Sequence, residues 1–158
     1  MTALLTSERV RMALETIKDP EIPSCSITDL GIVERITIED GTIVVDLLPT
    51  YSGCPALEVI KQDVEAVILA LGARPMVRFV MSPPWTTDRL TEAGVRALKE
   101  FGIAGPVLQI GIKPAPVPCP YCGSTETELQ SNFGPSPCRT IRYCAACRNP
   151  FEGFRAKA

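Results

Sequence analysis

The stretch IVERITIEDGTIVVDLL, residues 32–48, decides the fold of the first part of this chain. Two runs rich in β-branched residues flank Asp40-Gly41, a pair that is favoured in the tight turns of β-hairpins. A helical pattern precedes this hairpin at residues 7–17, and another follows it at about residues 55–71. Farther along, the alternating run PMVRFVMS predicts a third strand, and the segment TTDRLTEAGVRALKEFG predicts a last helix.

The predicted element order is α-β-β-α-β-α. This order indicates an α+β domain in which helices pack on a small three-stranded sheet. We expect this domain to span residues 1–112. Residues 113–118, KPAPVP, carry a proline at every second position, which favours an extended and semi-rigid linker. The remaining segment, residues 119–158, is too short to form a stable core unless something cross-links it.

Two CxxC pairs in the last segment supply that cross-link. Four thiolates that converge from two tight turns form a closed tetrahedral metal site, so we expect a zinc ribbon with a structural Zn²⁺ ion. Iron bound by four thiolates and redox-active cysteine pairs are the alternatives. The predicted zinc ligands are Cys119, Cys122, Cys144 and Cys147, with Cys138 as a substitute for one of them.

The composition of the 158-residue chain excludes several classes of function. A net charge of −2 leaves no basic surface for nucleic acid or an anionic membrane. We find no membrane-spanning run and no signal peptide, so we expect a cytoplasmic protein. Seven cysteines in a reducing compartment are not expected to form disulfides. Histidine is absent, which excludes Ser-His and Cys-His catalytic pairs.

A separate cysteine stands in TYSGCP, residues 50–55, where a predicted strand is followed by a helix. A thiol at a helix N-terminus lies near unpaired N–H groups and the positive end of the helix dipole, which lowers its pKa. Pro55 suits the first helical position. We therefore expect Cys54 to be reactive or to bind metal; the alternative is a buried cysteine that only packs.

Three stretches of this chain resemble a known domain: residues 19–36, 50–60 and 82–106. The motifs DPEIPSCSITDLG, TYSGCP and SPPWTTD are similar to those of SufT-like, or MIP-type, iron–sulfur maturation domains. With the four-cysteine ribbon behind it, nearly the whole chain resembles the PaaD (PaaJ) family. That family is encoded with the phenylacetyl-CoA epoxidase of phenylacetate catabolism, a di-iron oxygenase that receives electrons from an iron–sulfur reductase.

The resemblance implies an accessory protein that helps to supply iron–sulfur clusters or iron to the oxygenase and reductase components. It implies a pocket that handles transient iron or a cluster, and it places Cys25 in the core. The implied partners are those protein components, and homo-oligomerisation is left open. Two other functions compete with this one: a structural subunit of the oxygenase complex with a zinc-stabilised docking module, and an enzyme with Cys54 as nucleophile. The pocket residues implied by the resemblance are Asp19, Glu21, Thr50 and Cys54. The alternative for Asp19 and Glu21 is that they are ordinary solvated acids of a loop.

Overall fold

The structure is a computed structural model that describes residues 5–105 and 116–155. It contains two compact units. The first takes the described residues up to Pro49 and those from Pro55 to Trp85; the second takes residues 50–54 and the described residues from Thr86 onward. Within the described residues, no helix is both long and apolar enough to cross a membrane.

The first unit is built on the predicted hairpin. Strands β3 (Val33–Glu39) and β4 (Thr42–Leu47) pair antiparallel. Asp40 and Gly41 both have positive φ, 46° and 74°, as a primed two-residue turn requires. The predicted third strand is β5 (Arg74–Phe79), which pairs parallel with β4 to complete the three-stranded sheet.

Helices cover one face of this sheet, as predicted. Helix α1 (Ser7–Leu14) packs on β3, and α2 (Ala56–Ala70) packs on β5 and α1. The prediction extended α1 to residue 17, but it ends three residues earlier, and Thr6 caps it by accepting from the Arg9 N–H. The core between the helices and the sheet is apolar and fully buried, and includes Val10, Leu14, Ile43, Val45, Ile60, Val64 and Ile68.

The other face of the sheet carries a buried charge. Asp46 is 6% exposed although it lies on the face away from Ile43 and Val45. Arg78, its neighbour on β5, donates from Nε to the Asp46 carboxylate over 2.7 Å. The guanidinium therefore shields the carboxylate from water and supplies the hydrogen bond and opposite charge that a buried carboxylate requires.

The segment between α1 and the hairpin, for which the predicted element order contains no strand, forms two short strands. Strand β1 (Lys18–Asp19) pairs antiparallel with β2 (Ile22–Ser26), with an irregularity in register between Lys18 and Asp19. The prolines in this segment obscured the pattern, because Pro20 falls in the turn and Pro23 lies at an exposed strand position. After β2, the Leu30 carbonyl accepts from the Trp85 indole N–H at 2.7 Å.

In the second unit, the structure divides the last predicted helix. Residues Thr87–Arg89 form a single 3₁₀ turn, and helix α3 (Glu92–Glu100) follows with Thr91 as its N-cap. Leu90, with φ −64° and ψ 132°, interrupts the helical backbone between them. The Thr91 hydroxyl accepts from the Gly94 N–H at 3.0 Å, which satisfies one unpaired donor of the helix.

A four-stranded sheet forms the rest of the second unit. Its order is β6–β9–β8–β7, with β6 (Ile103–Ala104), β7 (Thr127–Ser131), β8 (Arg139–Cys144) and β9 (Pro150–Phe154). Strand β6 precedes the predicted linker yet pairs parallel with β9. Residues 106–115, with the first half of that linker, lie outside the described residues. The boundary at residues 113–118 stays a prediction.

Candidate functional site

The four predicted zinc ligands lie on two similar turns in the second unit. In the first, Gly123 donates from its N–H to the Cys119 carbonyl at 2.9 Å; in the second, Arg148 donates to the Cys144 carbonyl at the same distance. Gly123 and Arg148 occupy the same position after each CxxC, and both have positive φ, 76° and 59°. Each turn therefore reverses the chain immediately after its second cysteine.

The two turns bring four sulfur atoms together. Their Sγ atoms all lie within 4.8 Å of one another. The Cys119–Cys147 separation is 3.7 Å and the Cys122–Cys144 separation is 3.6 Å. A tetrahedral Zn²⁺ ion with bonds of about 2.3 Å holds its sulfur ligands about 3.8 Å apart. The donor set and its spacing therefore fit structural zinc, with no position left open for a substrate.

Hydrogen bonds around the cluster shift the pKa values of its thiols in different directions. The Asn149 side chain donates toward the Cys147 sulfur and lowers the pKa of that thiol to about 6. At Cys122, the Ser124 backbone N–H acts in the same direction, but burial and the three neighbouring thiols together raise its pKa to about 12. The four neighbouring thiols interact, so they do not all ionise together without a metal, and a divalent cation bound to all four sulfurs would offset the repulsion between thiolates.

Two of the four cysteines also pack in a small apolar cluster. Cys119 and Cys144 are 1% and 0% exposed, and they pack with Ala104 of β6 and Phe151 of β9. The fifth ribbon cysteine, Cys138, is not a member of the four-sulfur cluster. Its sulfur instead lies 3.4 Å from the Ser136 hydroxyl, in a buried position just before β8.

Cys54 lies in the loop between β4 and α2. Its N–H donates to the Tyr51 carbonyl at 3.2 Å, which makes a turn of residues 51–54. Pro55 was expected at the first helical position, but it is the N-cap of α2, so Cys54 lies two positions before Ala56, where the helix begins. Gly53 permits this turn, because a Cβ there would lie 3.0 Å from the Tyr51 ring. Cys54 is half-buried, unlike the fully buried Cys25.

The two predicted acids lie in the first unit, on the β1–β2 turn. Asp19 accepts from the N–H groups of Glu21 and Ile22 at 2.8 and 3.0 Å, which closes the turn. Asp19 therefore has a structural role, and both acids are half-buried rather than fully solvated. Thr50 and Cys54 belong to the second unit. That these four residues share one pocket stays a prediction.

Cys25 occupies a core position on β2, with 0% exposure. Burial raises the pKa of its thiol to about 11, and the nearby carboxylates of Asp29 and Asp19 add to that shift. Asp29 is itself held by the buried Ser26, whose hydroxyl donates to it over 2.7 Å. Cys25 is therefore a neutral buried thiol at physiological pH.

The different surroundings of the cysteines predict different reactivities. In zinc-loaded protein at pH 7, iodoacetamide should modify Cys54 first, at least about tenfold faster than Cys25 or Cys138, because only a reachable thiolate reacts. The Cys25 rate should stay low as the pH rises from 7 to 9, since this thiol ionises only near pH 11. Peptide mass spectrometry over time measures each rate, and Cys54→Ala protein is the control. Equal rates for Cys54 and Cys25 would contradict this assignment.

Comparison with known proteins finds two family matches, in different parts of the chain. Residues 105–155 match the family described as PaaD zinc beta ribbon domain, and residues 7–79 match iron-sulfur cluster assembly protein. A protein of Escherichia coli, named as one subunit of a "Putative 1,2-phenylacetyl-CoA epoxidase", is 39% identical over 145 residues, which cover 90% of this chain and 88% of that protein. The chain belongs to the PaaD family.

Other relatives cover a smaller share of this PaaD-family chain. The Fe-S protein maturation auxiliary factor YitW of Bacillus subtilis is 32% identical over 94 residues, or 58% of this chain and 91% of that protein. A crystal structure of a DUF59 domain from Bacillus anthracis superposes with a TM-score of 0.54 at 28% identity, covering 58% of this chain and 89% of that one. The PaaD family thus joins an iron–sulfur assembly domain to a zinc ribbon, and an accessory role follows from these relatives.

Sequence reasoning missed several residues that shape these sites. Asn149, two positions after the second CxxC, lowers the pKa of Cys147. Arg148 adopts the left-handed backbone conformation that Gly123 adopts at the equivalent position of the first turn. Comparing the two CxxC turns position by position reveals that equivalence. No sequence signal distinguished Asp29, which accepts a hydrogen bond from Ser26, from an ordinary solvated loop acid.

Proposed function

We propose that this protein is a non-catalytic maturation factor for the phenylacetyl-CoA epoxidase system. It assists the delivery of iron–sulfur clusters or iron to the oxygenase and reductase components, which are its protein partners. Cys54, Thr50, Asp19 and Glu21 contact the transferred metal, and the ribbon cysteines hold a structural Zn²⁺ ion.

The observation that carries this proposal is the presence of both modules in one chain. An assembly-type domain precedes a ribbon of the PaaD type, and the relative named as an epoxidase subunit aligns over 90% of the chain. A closed set of four thiolates suits structure rather than turnover. The half-buried Cys54, at a turn that opens a helix, supplies a soft ligand, and carboxylates supply hard ones. Mixed ligands of this kind suit transient iron.

The test is co-production of the epoxidase oxygenase and reductase with and without this protein. We expect the components made alone to contain less iron and acid-labile sulfide per chain, and to have correspondingly lower activity. Components that are already fully metallated should gain no activity when the purified protein is added. If activity rises on that addition while the metal content is unchanged, the protein is a structural subunit of the oxygenase instead.

A further inference from the structure

The second unit contains a groove of about 240 Å³ on the face of its sheet that carries Ile141 and Glu152. It is larger than the roughly 150 Å³ that holds a benzene molecule in an apolar cavity. Ile103 of β6 and Ile141 of β8 give it an apolar floor, and the aromatic walls come from outside the strands. A ring and several further heavy atoms therefore fit into this space.

The walls are two aromatic side chains with large exposed areas. Phe101, at the end of α3, is 46% exposed, and Tyr121, within the first CxxC, is 58% exposed. Gly102 allows the tyrosine to lie close to the backbone, because a Cβ on that residue would be 3.1 Å from the Tyr121 hydroxyl. Exposed aromatic residues around a concave surface are characteristic of binding sites rather than of ordinary solvated surface.

A carboxylate supplies the charge of the groove. Glu152 of β9 accepts from the Arg139 guanidinium at 2.8 Å. The Arg139 side chain is 6% exposed, whereas the Glu152 side chain is 28% exposed. An entering group therefore meets the carboxylate, with its partner arginine behind it. A carboxylate has about four acceptor positions, so one bond from Arg139 leaves capacity for further donors.

From this combination we propose that the groove receives an arginine side chain of a partner protein. The guanidinium stacks on Tyr121 or Phe101 and donates to Glu152, while its methylene stem lies along the isoleucine floor. This arrangement matches charge to charge and places a planar cation on aromatic faces. A lysine ammonium has neither the planar shape nor the parallel paired donors, and a phenyl ring adds no donor to the one that Glu152 already receives from Arg139.

The proposed site depends on the metal centre. Tyr121 lies between the ligand positions Cys119 and Cys122, so the turn that holds the zinc also positions one wall of the groove. Metal loading of the ribbon and partner binding are thereby linked. The inference goes beyond the proposed function, because it stands whether or not Cys54 handles iron.

The test uses the zinc-loaded full chain and N-acetyl-L-arginine methylamide as the probe. Titration followed by ¹H–¹⁵N correlation spectra should show saturable shifts at the amides of Gly102, Tyr121 and Ile103. The corresponding lysine, leucine and tryptophan amides should bind at least about fivefold more weakly. Absence of saturable shifts at these amides, or equal or tighter binding of any comparison amide, would overturn the proposal.

Variants distinguish binding of the arginine amide in the groove from binding elsewhere on the surface. Tyr121→Ala should weaken binding of the arginine amide about two- to fivefold, as expected for loss of an exposed cation–π contact. Phe133→Ala is the matched control, since Phe133 is a 70% exposed aromatic of the same unit outside the groove, and it should change the affinity less than about 1.5-fold. Glu152→Gln, which retains an acceptor for Arg139, should weaken binding at least as much as Tyr121→Ala. Unchanged affinity in Tyr121→Ala protein with intact spectra refutes the site even if the Glu152 variant fails to fold.

Discussion

Protein carrying Cys144→Ser is expected to lose its zinc and to unfold the sheet of β7, β8 and β9, while the first unit keeps its hairpin. Cys144 is 0% exposed and lies both in the four-sulfur cluster and in the apolar cluster that packs against it. Metal binding supplies on the order of 10 kcal/mol to the folding of modules this small, so loss of one ligand removes most of their stability. Zinc content per chain and amide hydrogen exchange measure the two effects.

Hydrogen exchange in the same variant also tests the boundary between the modules. Ile103 and Ala104 should lose protection together with β9, to which they are bonded, whereas Val45 in the first sheet should keep its protection. Cys138→Ser is the matched control, because Cys138 is buried in the ribbon but outside the four-sulfur cluster, and it should retain a full equivalent of zinc. Full zinc in the Cys144 variant, or loss in the Cys138 variant, would mean that the ligand set is wrong.

The second large effect concerns function. Cells that contain only Cys54→Ala protein should produce epoxidase components with a clear deficit of iron or acid-labile sulfide, close to that of cells lacking the protein. The stability loss should be only about 1 kcal/mol, since the side chain is half-buried in a loop. Metal analysis and activity of the co-produced components give the result, and thermal unfolding of the variant confirms that it is folded.

Three further variants sharpen that test. Cys25→Ala removes a fully buried thiol from the first unit, so it should lower stability more than Cys54→Ala and leave cofactor content nearly unchanged. Asp19→Asn and Glu21→Gln should reproduce the Cys54 defect more weakly if these acids contact the metal. Asn at position 19 keeps an oxygen that can accept from the Glu21 and Ile22 N–H groups, so the turn survives. Equal iron content with wild-type and Cys54→Ala protein would assign Cys54 to packing.

Much of the architecture was predictable because it rests on interactions close in sequence. Asp40-Gly41 specifies a hairpin through its own backbone preferences, and the register of β3 on β4 follows from that turn. The two CxxC pairs likewise specify their turns locally, and their spacing predicts a metal site. The position of Cys54 just before a helix was also readable, from Pro55 and the apolar periodicity of the helix that follows.

Elements whose stability comes from remote partners were not predictable. Strand β6 is two residues long, too short to show an alternating pattern, and it exists as a strand because β9, almost 50 positions later, binds its backbone. The pairing of Asp46 with Arg78 likewise depends on a parallel register that no local motif encodes. The groove beside Tyr121 requires α3, β6 and the first CxxC turn to meet. The sequence determined the hairpin, the presence of the helices, the set of four ribbon cysteines and the hypothesis of a reactive cysteine before a helix, because local backbone preferences and cysteine spacing specify them. Tertiary structure alone decided where the last helix is divided, which strands join the ribbon and which aromatic side chains surround its groove, because those depend on contacts between distant segments.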